Sequence, residues 1–159
     1  MLIIKTRIRS MRYFESVSPD FDMTRISGRI NFELFDRRIP KSRFGREVEV
    51  GRDLVCNYTS KDFSEESMQI PVLKSFAAYF GKDTYYFCND YHRFLDTVDV
   101  VKLLKRLRQE RGITQRVFAN ELNITNVMYK SYEQGRSRLP YFVYLRFREL
   151  YGPFMEELD

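Results

Sequence analysis

The chain has 159 residues, enough for one medium domain or two small ones, with 27 Lys+Arg against 22 Asp+Glu and a net charge of +5. No stretch approaches the roughly 20 apolar residues of a membrane span. The opening MLIIKTRIRS carries charges inside its short apolar run, so neither an anchor nor a signal peptide is expected and the protein is placed in the cytoplasm. Cys56 and Cys88 are the only cysteines and form no CxxC, which suits reduced thiols better than a disulfide framework.

The first half reads as β-rich. Leu2, Ile4 and Ile8 within residues 2–9, then residues 11–17, alternate in the manner of half-buried strands. So do Ile30, Phe32 and Leu34 within residues 26–35, and Val48, Val50, Leu54 and Cys56 within residues 47–58. Pro19-Asp20 and residues 40–45 supply the turns between them. From Glu65 the pattern changes to Met68, Val72, Phe76, Ala77 and Phe80, a helix stopped by Gly81, followed by a short aromatic strand over residues 84–88. The expectation is an α+β module over residues 1–95, packed by aromatics, and a second, all-α domain over residues 96–159. Residues 90–99 are the hinge or the start of the helical domain, and no internal repeat is visible.

A catalytic constellation is absent from this pattern. His92 is the only histidine, and Cys88-x-x-x-His92 offers two ligands where a structural zinc site needs four. No third residue orients the pair as a nucleophile, the isolated Gly28 and Gly45 make no phosphate loop, and the adjacent Glu65-Glu66 and Glu156-Glu157 point to different faces. No enzyme activity, metal or cofactor is therefore expected. The loop with Arg37, Arg38, Lys41, Arg43 and Arg46 around Phe35, Phe44 and Pro40 reads as a solvated basic segment, or one that touches a phosphate backbone or an acidic protein.

Residues 104–140 speak most directly about function. Val100, Leu103, Leu104 and Leu107 recur at helical spacing between Lys102, Lys105, Arg106 and Arg108, giving an amphipathic helix with a cationic outer face that Gly112 stops. Thr114 caps the next helix, in which Val117, Phe118, Ala119 and Leu122 face inward, with Ala119 small enough for close helix approach. Asn123 takes the turn, because Asn tolerates the left-handed conformation, and Thr125 caps the helix over residues 126–133. Gly135 ends it. Pro140 opens a fourth helix whose expected inward residues are Phe142, Leu145 and Leu150. Charge follows the same boundary, since residues 100–151 hold 11 Lys+Arg against 4 Asp+Glu, while residues 1–99 hold 16 against 15.

Arg108, Arg111, Gly112, Thr114 and Gln115, the small Ala119, the apolar Ile124, and Glu133-x-Gly135 with Pro140 together make this segment resemble the phage-repressor/Cro-like (XRE-like) helix-turn-helix family. Three positions depart from that pattern: Asn123 stands where the family usually has Gly, and Tyr129 and Tyr132 replace a smaller aliphatic and a Trp, Leu or similar residue, which implies repacking beneath the recognition helix. The resemblance implies that Asn126, Val127 and Ser131 reach base edges, that Gln115 holds a phosphate, and that Lys130, Arg136 and Arg138 contact the backbone of double-stranded DNA. Asn pairs bidentately with adenine and Val touches only a thymine methyl, so a modest A/T bias follows. The expected function is that of a sequence-specific transcriptional repressor. The alternative is a mobile-element inhibitor or antitoxin-like protein whose first module binds a protein partner while the helix-turn-helix autoregulates. One recognition helix reads few base pairs, so a homodimer is expected, through Tyr144, Phe147 and Phe154 or through strand edges of the first module.

Overall fold

The computed structural model describes residues 21–156, with side chains to Gly152, so the strands expected over residues 2–9 and 11–17 lie outside the described residues. Those residues form helices, turns and loops, with no strand among them. The expected β-rich α+β module is thus overturned. The chain divides into two compact units, Met1–Asn89 and Asp90–Asp159.

In the first unit, α1 spans Ile26–Asp36, α2 Lys41–Glu47, α3 Arg52–Tyr58 and α4 Ile70–Tyr79, with a 3-10 turn at Glu65–Ser67. The strand reading of residues 26–35 fails for a reason visible in the packing. Ile26, Ile30 and Leu34 are buried, and positions i, i+4 and i+8 share a face in a helix as well as in a strand. The buried Ser27 and Glu33 complete a helical stripe that strict alternation would have turned outward. α1 lacks a local cap. Instead the Glu65 carboxylate accepts the Ile26 N–H at 2.8 Å and the Arg25 Nε–H at 3.3 Å, satisfying the first turn from 39 residues away along the chain. Residues 47–58 likewise divide between the end of α2, a turn holding Val48 and Val50, and α3, where Val55 is buried and Cys56 exposed. The expected helix after Glu65 is present as the 3-10 turn and α4, closed by Gly81 at φ +63°. Residues 84–88 form a turn rather than a strand, with Phe87 and Cys88 joining a core built on Phe44, Phe76 and Phe80. Phe44 sits 4.6 Å from Phe76 and 5.1 Å from Phe80, ring centre to ring centre, geometry that adds to simple area burial.

The second unit contains α5 (Asp90–Thr97), α6 (Val100–Glu110), α7 (Gln115–Glu121), α8 (Asn126–Glu133) and α9 (Tyr141–Glu156). α5 packs within this unit: the Tyr91 hydroxyl donates to the Leu139 carbonyl at 2.6 Å and Phe94 lies 5.1 Å from Tyr144. α9 is interrupted at Tyr151 (φ −130°, ψ 16°), two residues before Pro153, which has no N–H to continue the helical ladder. Its inward face differs from the expected one. Phe142, Leu145 and Leu150 are 56%, 45% and 37% exposed, while Val143, Tyr144, Phe147 and Tyr151 fill the core. Apolar residues lie on every side of this helix, so spacing alone left its rotation open, and the larger aromatic set wins by packing against Phe94 and Phe118. Tyr144 and Phe147 are therefore removed from the expected dimer surface, and the Phe154 side chain lies outside the described ones. Among the described residues no helix is long and apolar enough to cross a membrane.

Candidate nucleic-acid interface

The caps expected for α7 and α8 are in place, and α6 has one at Asp99 that the sequence reading did not assign. Asp99 accepts the Lys102 N–H at 3.1 Å, Thr114 Oγ1 the Val117 N–H at 3.3 Å, and Thr125 Oγ1 the Met128 N–H at 3.2 Å. Gly112 closes α6 at φ +61°, where its N–H reaches the Gln109 carbonyl and the Ile113 N–H the Arg108 carbonyl. Asn123 closes α7 with the same pair of bonds at φ +60°, its N–H on Asn120 and that of Ile124 on Ala119. These closures bring Phe118 and Ala119 of α7, with Leu122 just after it, into one core with Tyr129 and Tyr132 of α8. Val117, expected inward, is 44% exposed instead.

A buried carboxylate fixes α8 from behind. Glu133, 3% exposed at its side chain, accepts the Arg108 Nε–H at 2.8 Å and a second hydrogen bond from the Gln115 amide, so the end of α8 is tied at once to α6 and to the start of α7. The Glu133 carboxylate raises the Arg108 pKa still further, and burial pushes the Tyr129 phenol above its usual range. A second network holds the far end of α7. Arg111 grips Glu121 with both arms, at 2.5 and 2.8 Å, and Tyr151 donates to the same carboxylate. Hydrogen bonding from Arg111 holds the Glu121 carboxyl below the usual carboxylate range. Sequence reasoning had picked out Arg108, Gln115 and Glu133 singly but missed that they form one clamp. Their shared signal was that each sits on the edge of an otherwise apolar helix stripe.

With its inner face so locked, α8 turns Asn126, Val127 and Lys130 to solvent. Val127 is 79% exposed, the most open large apolar side chain among the described residues. Ser131 is half-buried and its hydroxyl lies 2.7 Å from that of Ser137, which draws it towards the following loop. Arg136 is exposed in that loop, and the exposed Arg138 guanidinium stacks 5.0 Å from the Tyr91 ring centre. Gln115 is half-buried, with one amide N–H committed to Glu133. The structure thus gathers Asn126, Val127 and Lys130 on one open helix face.

Searches of curated proteins and of solved structures gave no match. Residues 99–157 match a family model described as a helix-turn-helix domain, a span running from the cap of α6 to the end of α9. Geometry and family match agree that the C-terminal part of this chain is a helix-turn-helix domain.

Proposed function

We propose that this chain is a sequence-specific DNA-binding regulator of transcription that works in the cytoplasm as a repressor, occluding promoter DNA without a catalytic step. The observation that carries this reading is the open face of α8. A valine 79% exposed, between an exposed asparagine and an exposed lysine, stands on a helix whose opposite face is clamped into a core. In a major groove, Asn126 suits the N6/N7 edge of adenine and Val127 the thymine methyl, while Lys130, Arg136 and Arg138 supply charge for phosphates. Gln115 keeps a second amide N–H for a phosphate beyond the one it gives Glu133. Ser131 has the smallest part, its hydroxyl being shared with Ser137.

Useful specificity calls for two reading helices. A homodimer through the exposed Phe142, Leu145 and Leu150 of α9 would supply them, as would a second reading unit in the same chain. Footprinting and in vitro transcription on the DNA upstream of the protein's own gene test the repressor reading. The expected result is a protected segment over the promoter and a matching fall in transcript. Protection nowhere, or protection with rising transcript, overturns it.

A further inference from the structure

The first unit repeats the helix-turn-helix geometry of the second. Helix starts run from 26 to 100, 41 to 115 and 52 to 126, a constant offset of 74, and the first two pairs have equal lengths of 11 and 7 residues. Left-handed residues follow the same offset: Arg38 (φ +53°) matches Gly112, and Glu49 (φ +57°) matches Asn123. So do the bonds that close both turns. Arg38 N–H reaches the Phe35 carbonyl and Ile39 N–H that of Leu34, as Gly112 and Ile113 reach Gln109 and Arg108. Glu49 N–H reaches the Arg46 carbonyl and Val50 N–H that of Gly45, as Asn123 and Ile124 reach Asn120 and Ala119.

The packing repeats as well. Phe44 and Phe118 are both fully buried, and Tyr58 and Tyr132 both close the inner face of their helix. Gly45 stands where the second unit has Ala119, and a Cβ there would lie 3.1 Å from the Val50 carbonyl, so α2 and α3 also cross at a residue that must be small. Even the supporting network recurs: Tyr79 donates to Glu47 as Tyr151 does to Glu121, and Arg37 lies 5.2 Å over Phe80 as Arg111 lies 5.3 Å over Tyr151. Isolated two-helix crossings are common, but helix starts, left-handed turns, closing bonds and a small crossing residue matched over one offset define the same supersecondary unit, although the side-chain caps of the second unit have no counterpart in the first. The sequence concealed it because only scattered positions keep the residue type.

We propose that residues 26–58 are a second helix-turn-helix and that α3 is a second DNA-reading helix, so that one chain reads two unlike half-sites. This rests on the DNA-binding reading of the C-terminal domain. In place of Asn126, Val127, Lys130 and Ser131, α3 exposes Arg52, Asp53, Cys56 and Asn57. Arg52 pairs bidentately with guanine O6 and N7, and Asp53 accepts from cytosine N4, so this half favours G/C where α8 favours A/T. The target is therefore bipartite and not palindromic.

Binding-site selection from a random duplex library, with the full-length chain and with its Asn126→Ala and Arg52→Ala variants, tests this directly. The expected outcome is two dissimilar blocks, the A/T-rich one lost in Asn126→Ala and the G/C-rich one in Arg52→Ala. Arg52→Ala should weaken the bipartite site about 5- to 150-fold, and Arg52→Lys, which keeps the charge and a donor without the planar fork, should retain only part of the guanine preference. A single A/T-rich block, or a palindrome whose two halves both vanish in Asn126→Ala and ignore Arg52→Ala, overturns the inference while leaving the C-terminal reading intact. A single G/C-rich block that Arg52→Ala abolishes overturns the two-half-site inference together with the reading of α8 on which it rests. No selected sequence at all overturns both.

Discussion

Arg108→Met offers the sharpest test of how the recognition helix is held. Glu133 is 3% exposed at its side chain and takes its charge partner from Arg108, itself 24% exposed, at 2.8 Å. Removing one partner of a buried ion pair costs about 3–5 kcal/mol when the remaining charge is left uncompensated. Here the Gln115 amide still donates to Glu133 and Arg108 is partly hydrated, so about 2–3 kcal/mol is expected. Adding Glu133→Leu removes the orphaned charge and should return most of that loss, because apolar replacement of both members is often close to neutral. Urea denaturation of the full-length chain at neutral pH, comparing both single variants with the double, measures the coupling. A single-variant cost under about 1 kcal/mol, or strict additivity of the two changes, would refute the clamp.

Three further outcomes follow from particular residues. In Gly28→Ala the new Cβ would lie 1.8 Å from the Asp22 carbonyl oxygen, so chain entry into α1 must shift and a loss of about 1–3 kcal/mol should appear in urea denaturation. Glu49→Gly removes a non-glycine αL residue, relief of about 1–2 kcal/mol set against glycine's extra backbone entropy; a net gain of about 0.5–1 kcal/mol is expected, with Asn123→Gly smaller because Asn tolerates that conformation. The Glu121 carboxyl is held below its ordinary value of 4.5, chiefly by Arg111, so its stabilisation is present above that pH and is lost as pH falls through the folded-state value; thermal melts of Glu121→Gln should show a shallower acid limb, and an unchanged one would contradict the assignment.

The C-terminal domain was legible because its signals are local. Thr114 and Thr125 cap the helices that begin immediately after them, and Gly112 and Asn123 occupy the left-handed positions their chemistry favours. In the first unit the corresponding signals are non-local or contrary. Glu65 caps α1 across 39 residues, and Arg38 and Glu49 hold left-handed turns that their side chains do not announce. Ile26, Ile30 and Leu34 fit either period, and β-branched residues around Val48 and Val50 tilted the reading towards strands that tertiary packing overrules. The rotation of α9 was hidden in another way, since Phe142, Leu145 and Leu150 are as apolar as the residues that displaced them from the core.

The salt dependence of DNA binding by the full-length chain tests the central claim most directly. On its selected duplex, log K should fall linearly with log[salt], with a slope of about −0.9 for each phosphate neutralised. Lys130→Ala should reduce that slope by about one on every sequence, whereas Asn126→Ala should leave the slope and cost about 1–3 kcal/mol at a single base position. A slope near zero, or an Asn126→Ala loss equal on selected and scrambled DNA, would contradict a DNA-reading role for the exposed face of α8.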